Sequence, residues 1–400
     1  MGAEVQQSAA TRDRLWTPSF TCALAVNFAV MMVFYLLLTT LAVYAIRSYG
    51  VSDSIAGLTA SMFVIGAVIS RLSAGSIIAW LGMRRVLLVA TVGLVVGALL
   101  YFTDLGLIPL LGLRLLHGLT FGLASTAVNA TVQLILPNIR RGEGTSYFAL
   151  SWPLAAAIGP ALAFYCIDRW GYDALFLVGV IVSVLSLIFA LGVASPPPAP
   201  PQPRRAWWRQ LIEPRIVPFG LLIFFLSLTH ASVLTFMHPF AEATLDYSAA
   251  SQYFIAYALA ALAGRLIMGR IQDRWGDNVV MIPSLLLFSA GLFLVSVADT
   301  HGIFIISGAL IGTGYGTVIT CGQALVTPVV GTERTAGGMA TFFLFLDSGS
   351  GLGPVVLGLL LSATGFHQMY FIVAVATLAS VGLYWLLHGR RPIARRRAVA

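Results

Sequence analysis

Residues 265–276 read RLIMGRIQDRWG, and residues 71–82, 194 positions earlier, read RLSAGSIIAWLG. Arg71-Leu72 meets Arg265-Leu266, Gly75 meets Gly269, Ile77 meets Ile271 and Gly82 meets Gly276. The same offset brings Gly118 onto Gly312, Gly122 onto Gly316, Gly159-Pro160 onto Gly353-Pro354 and Gly171 onto Gly365. One register held without a gap over about a hundred residues is an internal duplication rather than chance.

What is duplicated follows from composition. The 400-residue chain is 58% hydrophobic and only 10% charged, with a mean hydropathy of +0.91. A soluble domain runs near 45–50% apolar and about 25% charged. This chain cannot cover its apolar surface with polar groups, which excludes disorder and a soluble enzyme. Lipid must be the solvent, so the class is an all-α polytopic membrane protein.

Hydropathy places twelve spans near 17–45, 55–78, 86–103, 107–134, 145–167, 174–194, 216–240, 250–270, 280–298, 303–328, 337–361 and 369–388. Twelve spans of roughly 20 residues use about 240, leaving no room for a sizeable soluble domain. The offset covers six spans, an even number, so the two six-helix repeats are parallel. Such halves are the arrangement of one large transporter class.

The domains expected are a polar N-terminal tail (1–16), a bundle at 17–194, a linker at 195–215, a second bundle at 216–388 and a basic tail at 389–400. The linker reads SPPPAPPQPRRAWWRQLIEPR; its prolines favour extended chain, and Trp207-Trp208 among arginines suits the membrane interface. Glu4 and Asp13 make the start unlike a cleavable signal peptide.

Every basic residue is arginine, and arginine placement sets an orientation. With the N-terminus inside, 18 arginines fall on inner connections and the tail, against Arg47 and Arg169 outside. Both termini are then cytoplasmic. The basic tail reads as a topology determinant that meets anionic lipid, with no nucleic-acid role. Cys22, Cys166 and Cys321 lie far apart in apolar runs, so neither a disulfide framework nor a metal site follows. Without lysine no G-x-x-x-x-G-K-[ST] loop exists, and no nucleophile has a base nearby. The chain is expected to be no enzyme and to need no cofactor, a proton gradient supplying the energy.

Small residues recur at fourth positions: Gly66, Ser70 and Ala74 in span two; Ser151, Ala155, Gly159 and Ala163 in span five; Ala256, Ala260 and Gly264 in span eight; Gly349 and Gly353 in span eleven. Such faces let helix backbones approach closely in lipid. One reading is static packing; the sharper one makes these the faces on which two bundles rock.

Few polar groups fall at membrane depth, where an unpaired Arg or Asp costs about 2.5–3.5 kcal/mol. Arg114 and His117 share a face of span four, and His230 lies near the middle of span seven. Asn27 and Tyr35 in span one and Tyr315 in span ten are further cavity candidates, each with interhelical bonding as the alternative. Asp347, deep in span eleven, is the candidate proton carrier, or else a hydrogen-bonded structural acid. Glu143, at the start of span five, suits a helix N-terminus and reads as structural and gating.

These residues resemble the major facilitator superfamily of secondary transporters over nearly the whole chain. Gly269–Gly276 (GRIQDRWG) is similar to its signature loop. The first copy keeps Gly75, Gly82 and Arg84-Arg85, with Ala79 where the acid is expected and Trp80 where the base is. The resemblance implies that Asp273 and Arg274 make ion pairs that the first loop cannot. Arg114–Gly118 (RLLHG) resembles the fourth-span motif of drug/proton antiporters, and Gly159-Pro160 their fifth-span motif, with Ala155 and Ala163 replacing glycines. FYLLLTTLAVYA (34–45), Arg140–Gly144 into Tyr147–Ser151, and Asp347–Pro354 are similar to the staphylopine-exporter-like, drug-efflux branch. This implies a monomeric proton-coupled exporter of a small organic molecule in the bacterial inner membrane. Its cargo cavity would lie between the halves, lined by spans one, four, seven and ten. An uptake symporter or uniporter would use the same fold, and a non-transporting sensor is the alternative from another class.

Overall fold

The computed structural model describes residues 14–38, 40–51, 53–103, 106–194, 212–244, 247–391 and 394. Residues 1–13 of the first tail, 195–211 of the linker and most of the basic tail lie outside the described residues. Twelve helices are long and apolar enough to cross a membrane. Span one is Pro18–Leu38 followed by Thr40–Tyr49, span two Asp53–Leu81, and span three Met83–Leu100 with a 3-10 turn at Tyr101–Thr103. Span four is Leu107–Ile135, span five Arg141–Ala149 then Ser151–Trp170, and span six Tyr172–Leu191. The second series is Val217–Thr244, Tyr247–Trp275, Asp277–Ser296, His301–Val330, Thr335–Thr364 and Phe366–Tyr384, the last closing in a π turn at Trp385–Gly389. Helix is forced here, because backbone polar groups in lipid must be satisfied within the segment.

Span ends differ from the hydropathy expectation by five residues or fewer. Where the helices overrun, hydrogen bonding continues after hydropathy has fallen. Span eight carries its helix through Arg270, Asp273 and Arg274 to Trp275. The chain then reverses at Gly276, with φ 87°, as span two reverses at Gly82, with φ 84°. Both are left-handed values that favour glycine. The glycines of the repeat are therefore turn residues as much as packing residues.

The described residues fall into two compact units. One lies within Met1–Leu136, Ser151–Glu213 and Gly331–Thr341, the other within Pro137–Leu150, Pro214–Val330 and Phe342–Ala400. The opening of span five thus groups with the second unit and the opening of span eleven with the first.

Contacts repeat at the sequence offset. A Cβ on Gly118 would collide with the Phe63 carbonyl, and one on Gly312 with the Tyr257 carbonyl, both pairs being 194 residues apart. A Cβ on Gly97 would stand 3.3 Å from the His117 ring, and one on Gly291 would press on Ile311, again the same seats. The two units are one packing scheme written twice.

The glycines of the small-residue faces pack closely on neighbouring helices. Gly66 abuts the Leu115 carbonyl of span four, and Gly264 lies against Thr313 and Thr317 of span ten. Gly159 abuts Tyr35 and Leu36 of span one, while Gly349 and Gly353 abut Phe224, Leu228 and Ala231 of span seven. Each of these glycines packs against a helix of its own unit, which is the static-packing contact of the two readings. Pro160 and Pro354, next in sequence, sit inside their helices. Gly353→Leu is therefore expected to lower the yield of folded protein, since the side chain meets Ala231 and the Leu228 backbone. Size-exclusion recovery and thermal stability in detergent check this; wild-type values would contradict it.

Candidate functional site

Three polar clusters stand out within the units. The first holds the short helix Arg141–Ala149 at the entrance to span five. Its amide N–H groups at Gly142 and Glu143 donate to Asp273 Oδ1 and Oδ2 at 2.7 and 2.8 Å. At its other end, Arg265 Nη1 donates to the Ala149 carbonyl at 2.8 Å. Eight residues of helix rise about 12 Å, so Asp273 and Arg265 on span eight match the two ends of a nine-residue helix. An acid at the N-terminus and a base at the C-terminus both complement the helix dipole. The backbones come together because Gly142 faces Gly269, and a Cβ on either would strike the other residue's carbonyl.

Glu143 completes this cluster. Its carboxylate is buried and takes Arg140 Nε on Oε2 and Arg270 Nε on Oε1, each at 2.8 Å. Arg270 Nη2 also donates to the Tyr147 hydroxyl at 2.7 Å. The expectation for the signature loop is thereby corrected. The hydrogen bonds that hold Asp273 come from backbone N–H groups rather than from a cation's side chain, because its carboxylate reaches the start of a helix. Arg274 lies over the Trp275 ring, 5.6 Å from its centroid, and pairs with no carboxylate among the described residues. In the first loop Ala79 and Trp80 are exposed, Gly75 is half-buried, and Arg85 is exposed. Arg84 Nη2 donates to the Leu191 carbonyl at 3.1 Å, at the end of span six.

The second cluster, in the first unit, joins Arg114 and His117. Both are buried. Arg114 Nε donates to the Thr59 carbonyl at 2.9 Å, Nη1 to the Tyr101 hydroxyl at 3.5 Å, and its guanidinium stands 4.4 Å from the Phe63 centroid. Tyr101 in turn meets His117 Nδ1 at 3.1 Å.

The third cluster lies in the second unit and joins His230 and Tyr315. Their rings stack at 3.6 Å and 4°. His230 Nε2 bonds the Tyr257 hydroxyl at 3.0 Å, and Ser227 bonds the Tyr315 hydroxyl at 3.3 Å. Tyr257 and Tyr315 occupy the seats of Phe63 and Phe121, whose rings pack 5.1 Å apart in the other unit.

The remaining candidates lie on other helices, Asn27 and Tyr35 in span one and Asp347 in span eleven. Asn27 is fully buried, and neither amide atom finds a partner in its unit. Tyr35 is half-buried, edge-on to Phe34, with ring centroids 4.9 Å apart. Asp347 is half-buried in the middle of Thr335–Thr364. Sequence reading missed Tyr101, Thr59, Tyr257, Ser227, Arg140, Arg265 and Arg270. The repeat could have found Tyr257, since a tyrosine replaces Phe63 at the 194-residue offset.

What this arrangement can do is hold and release helix ends, and offer hydrogen-bonding groups at membrane depth. Its chemistry is ion pairing and hydrogen bonding rather than bond making. Comparison with known proteins agrees. The sequence profile of the Major Facilitator Superfamily matches over residues 23–271 and 219–399. The chain is 25% identical over 381 residues to the uncharacterised MFS-type transporter YhhS of Escherichia coli O6:H1, covering 92% of each. It is 23% identical over 350 residues to the staphylopine export protein of Staphylococcus aureus, covering 82% of this chain and 86% of that one. The solved structure of the transporter FucP of Escherichia coli, in an outward conformation, aligns with a TM-score of 0.77 at 14% identity, over 94% of this chain and 99% of that one. Duplicated six-helix halves, the signature-loop grip on span five and the whole-length match together place the chain in the Major Facilitator Superfamily, as a membrane transporter.

Proposed function

We propose that this transporter exports a small organic molecule, such as a drug, metallophore or secreted metabolite, in exchange for protons, by alternating access across a bacterial inner membrane. The observation that carries the reading is the grip on Arg141–Ala149: three charged side chains of span eight, Arg265, Arg270 and Asp273, hold one short helix by bonds that break and reform without chemistry. In this reading the cluster is the cytoplasmic gate, closed when Asp273 caps the helix and open when it lets go. Gly269, Gly276 and Glu143 belong to that gate, while Gly75, Gly82, Arg84, Arg85 and Arg274 shape the loops. Arg114, His117, His230, Tyr315, Asn27 and Tyr35 supply cargo contacts, and Asp347 carries the proton. Export, rather than uptake, is supported by the named activity of the staphylopine export protein. No further cofactor enters this cycle; the energy comes from the proton gradient. The protein works as a monomer, its basic tail resting on anionic lipid.

Cargo accumulation in deletion and overexpressing cells tests the reading. Overexpression should lower the internal level of the cargo and deletion should raise it; the reverse pattern makes the protein an importer. Orientation is testable separately. The 18-to-2 arginine asymmetry puts both termini in the cytoplasm. A cytoplasm-active reporter fused after Ala400 should be active, and a reporter active only outside should be silent.

A further inference from the structure

Asp273 sits in the last turn of span eight, which ends at Trp275 before the chain reverses at Gly276. The last turn of a helix has carbonyls without partners inside the helix, and it frays unless something holds it. Gln272 holds this one. It is buried, and its side-chain Nε2 donates to Asp277 Oδ1 of span nine at 3.0 Å and to the Cys321 carbonyl of span ten at 3.2 Å. A carbonyl can only accept, so the amide is fixed with its oxygen on the opposite side. That oxygen lies against the entrance helix of span five. A Cβ on Gly142 would stand 3.1 Å from Gln272 Oε1 and 2.8 Å from Asp273 Oδ1.

The anchor continues to span twelve. Asp277 Oδ2 meets His388 Nε2 at 3.1 Å, and both residues are buried. His388 belongs to the π turn Trp385–Gly389 that closes the span. Turns of this kind are rare and cluster at functional sites. One polar line thus runs from the end of span twelve through Asp277 and Gln272 to the residue beside Asp273, every member inside the second unit.

The duplication separates this line from ordinary packing. At the 194-residue offset Gln272, Asp277, Cys321 and His388 become Ile78, Met83, Ala127 and Ala194, and Asp273 becomes Ala79. The corresponding helices of the first unit close without the line, and that half also lacks the acid. A tie that both halves keep lies elsewhere. Arg84 donates to the Leu191 carbonyl near the end of span six, and its counterpart Asn278 donates to the Gly389 carbonyl at the end of span twelve, at 2.8 Å. The buried line is additional to that tie, and it accompanies the acid grip.

We propose that Gln272, Asp277 and His388 are positioning residues of the gate, holding the last turn of span eight in the register that aims Asp273 at the amide groups of Gly142 and Glu143. They act through Asp273 and set how often it lets go. The inference rests on the reading of the Asp273 grip as the cytoplasmic gate.

The test reads the grip itself. Full-length protein in phosphatidylcholine nanodiscs, without cargo or gradient, is followed by hydrogen–deuterium exchange at the Gly142 and Glu143 amides, which donate to Asp273. Asp273→Asn sets the scale by loosening the grip directly. Asp277→Met gives the line its first-half residue and leaves Gln272 and Asp273 in place. It should speed exchange at both amides about tenfold, as for a lost hydrogen bond to a charged group. His388→Phe, farther along the line, should speed it by at least about twofold. In the Asp273→Asn background neither substitution should add more than about twofold, because both act through that acid. A merely structural line would instead lower the melting temperature and leave the two amides at wild-type exchange. Wild-type exchange in folded Asp277→Met and His388→Phe, with Asp273→Asn faster, overturns the inference and leaves the gate reading intact. Full additivity with Asp273→Asn also overturns it. Unchanged exchange in Asp273→Asn removes the gate reading and the inference with it. Should Asp277→Met fail to fold, His388→Phe decides alone.

Discussion

Asp273→Asn is expected to cut transport at least about tenfold while the protein still reaches the membrane. The carboxylate accepts two adjacent backbone N–H groups, one on each oxygen, at 2.7 and 2.8 Å. Asparagine offers a single acceptor oxygen and turns an NH2 group toward the second N–H. A charge-assisted hydrogen bond is worth about 1.5–3 kcal/mol, and each 1.4 kcal/mol shifts an equilibrium roughly tenfold. The loss falls on the grip alone, so the helix Arg141–Ala149 should be released more often. Ala79, at the same position of the first copy, is exposed and has no acid to lose. Substituting it should leave transport within about twofold of wild type, in keeping with the small effects of surface changes. Transport rates of both variants, normalised to membrane-inserted protein, decide the matter. Equal, mild effects would show that the capping contact is not the gate.

The second large effect is expected at Asp347. It lies half-buried in the middle of Thr335–Thr364, in a stretch with glycines at 349, 351 and 353. A carboxylate at membrane depth is costly unless it is paired or hydrated. Hydrated in one state of the cycle and enclosed in the other, it would load and release a proton. Asp347→Asn keeps the size and hydrogen bonding of the side chain and cannot titrate. We expect a protein that folds and exchanges cargo down its own gradient, but loses net uphill transport by a factor of ten or more. Unchanged gradient-driven rates would make Asp347 a structural acid and move the proton site elsewhere.

Much of the architecture is legible in the chain before folding. Hydropathy marks all twelve spans because lipid tolerates few polar residues, and the Gly-for-Gly register marks the turns at Gly82 and Gly276, whose φ values favour glycine. The partners of the small faces are not legible, since a Gly-xxx-Gly pattern says only that some backbone comes close. Gly353 reads the same whether it meets span seven or a second bundle. Within the polar sites, Arg114 and His117 announce themselves by charge at depth, one turn apart. Tyr101 does not, because a tyrosine at a span end has the ordinary look of an interfacial anchor. Thr59 contributes only a backbone carbonyl, which no side-chain pattern reveals. The role of Asp273 is misread for a similar reason. Sequence lists acids and bases, and so suggests ion pairs, while the structure answers this acid with two peptide N–H groups.

Export coupled to protons leaves a distinct signature in vesicles. Inverted membrane vesicles from overexpressing cells are energised so that their interior is acidic, and the gradient is followed with a quenched amine dye. Adding cargo that the protein exchanges for protons should partly restore the fluorescence, while the cargo accumulates inside. Vesicles bearing Asp347→Asn should show neither response. Cargo leaving the vesicles with the protons, or a wild-type flux indifferent to the pH gradient, would contradict proton-driven export.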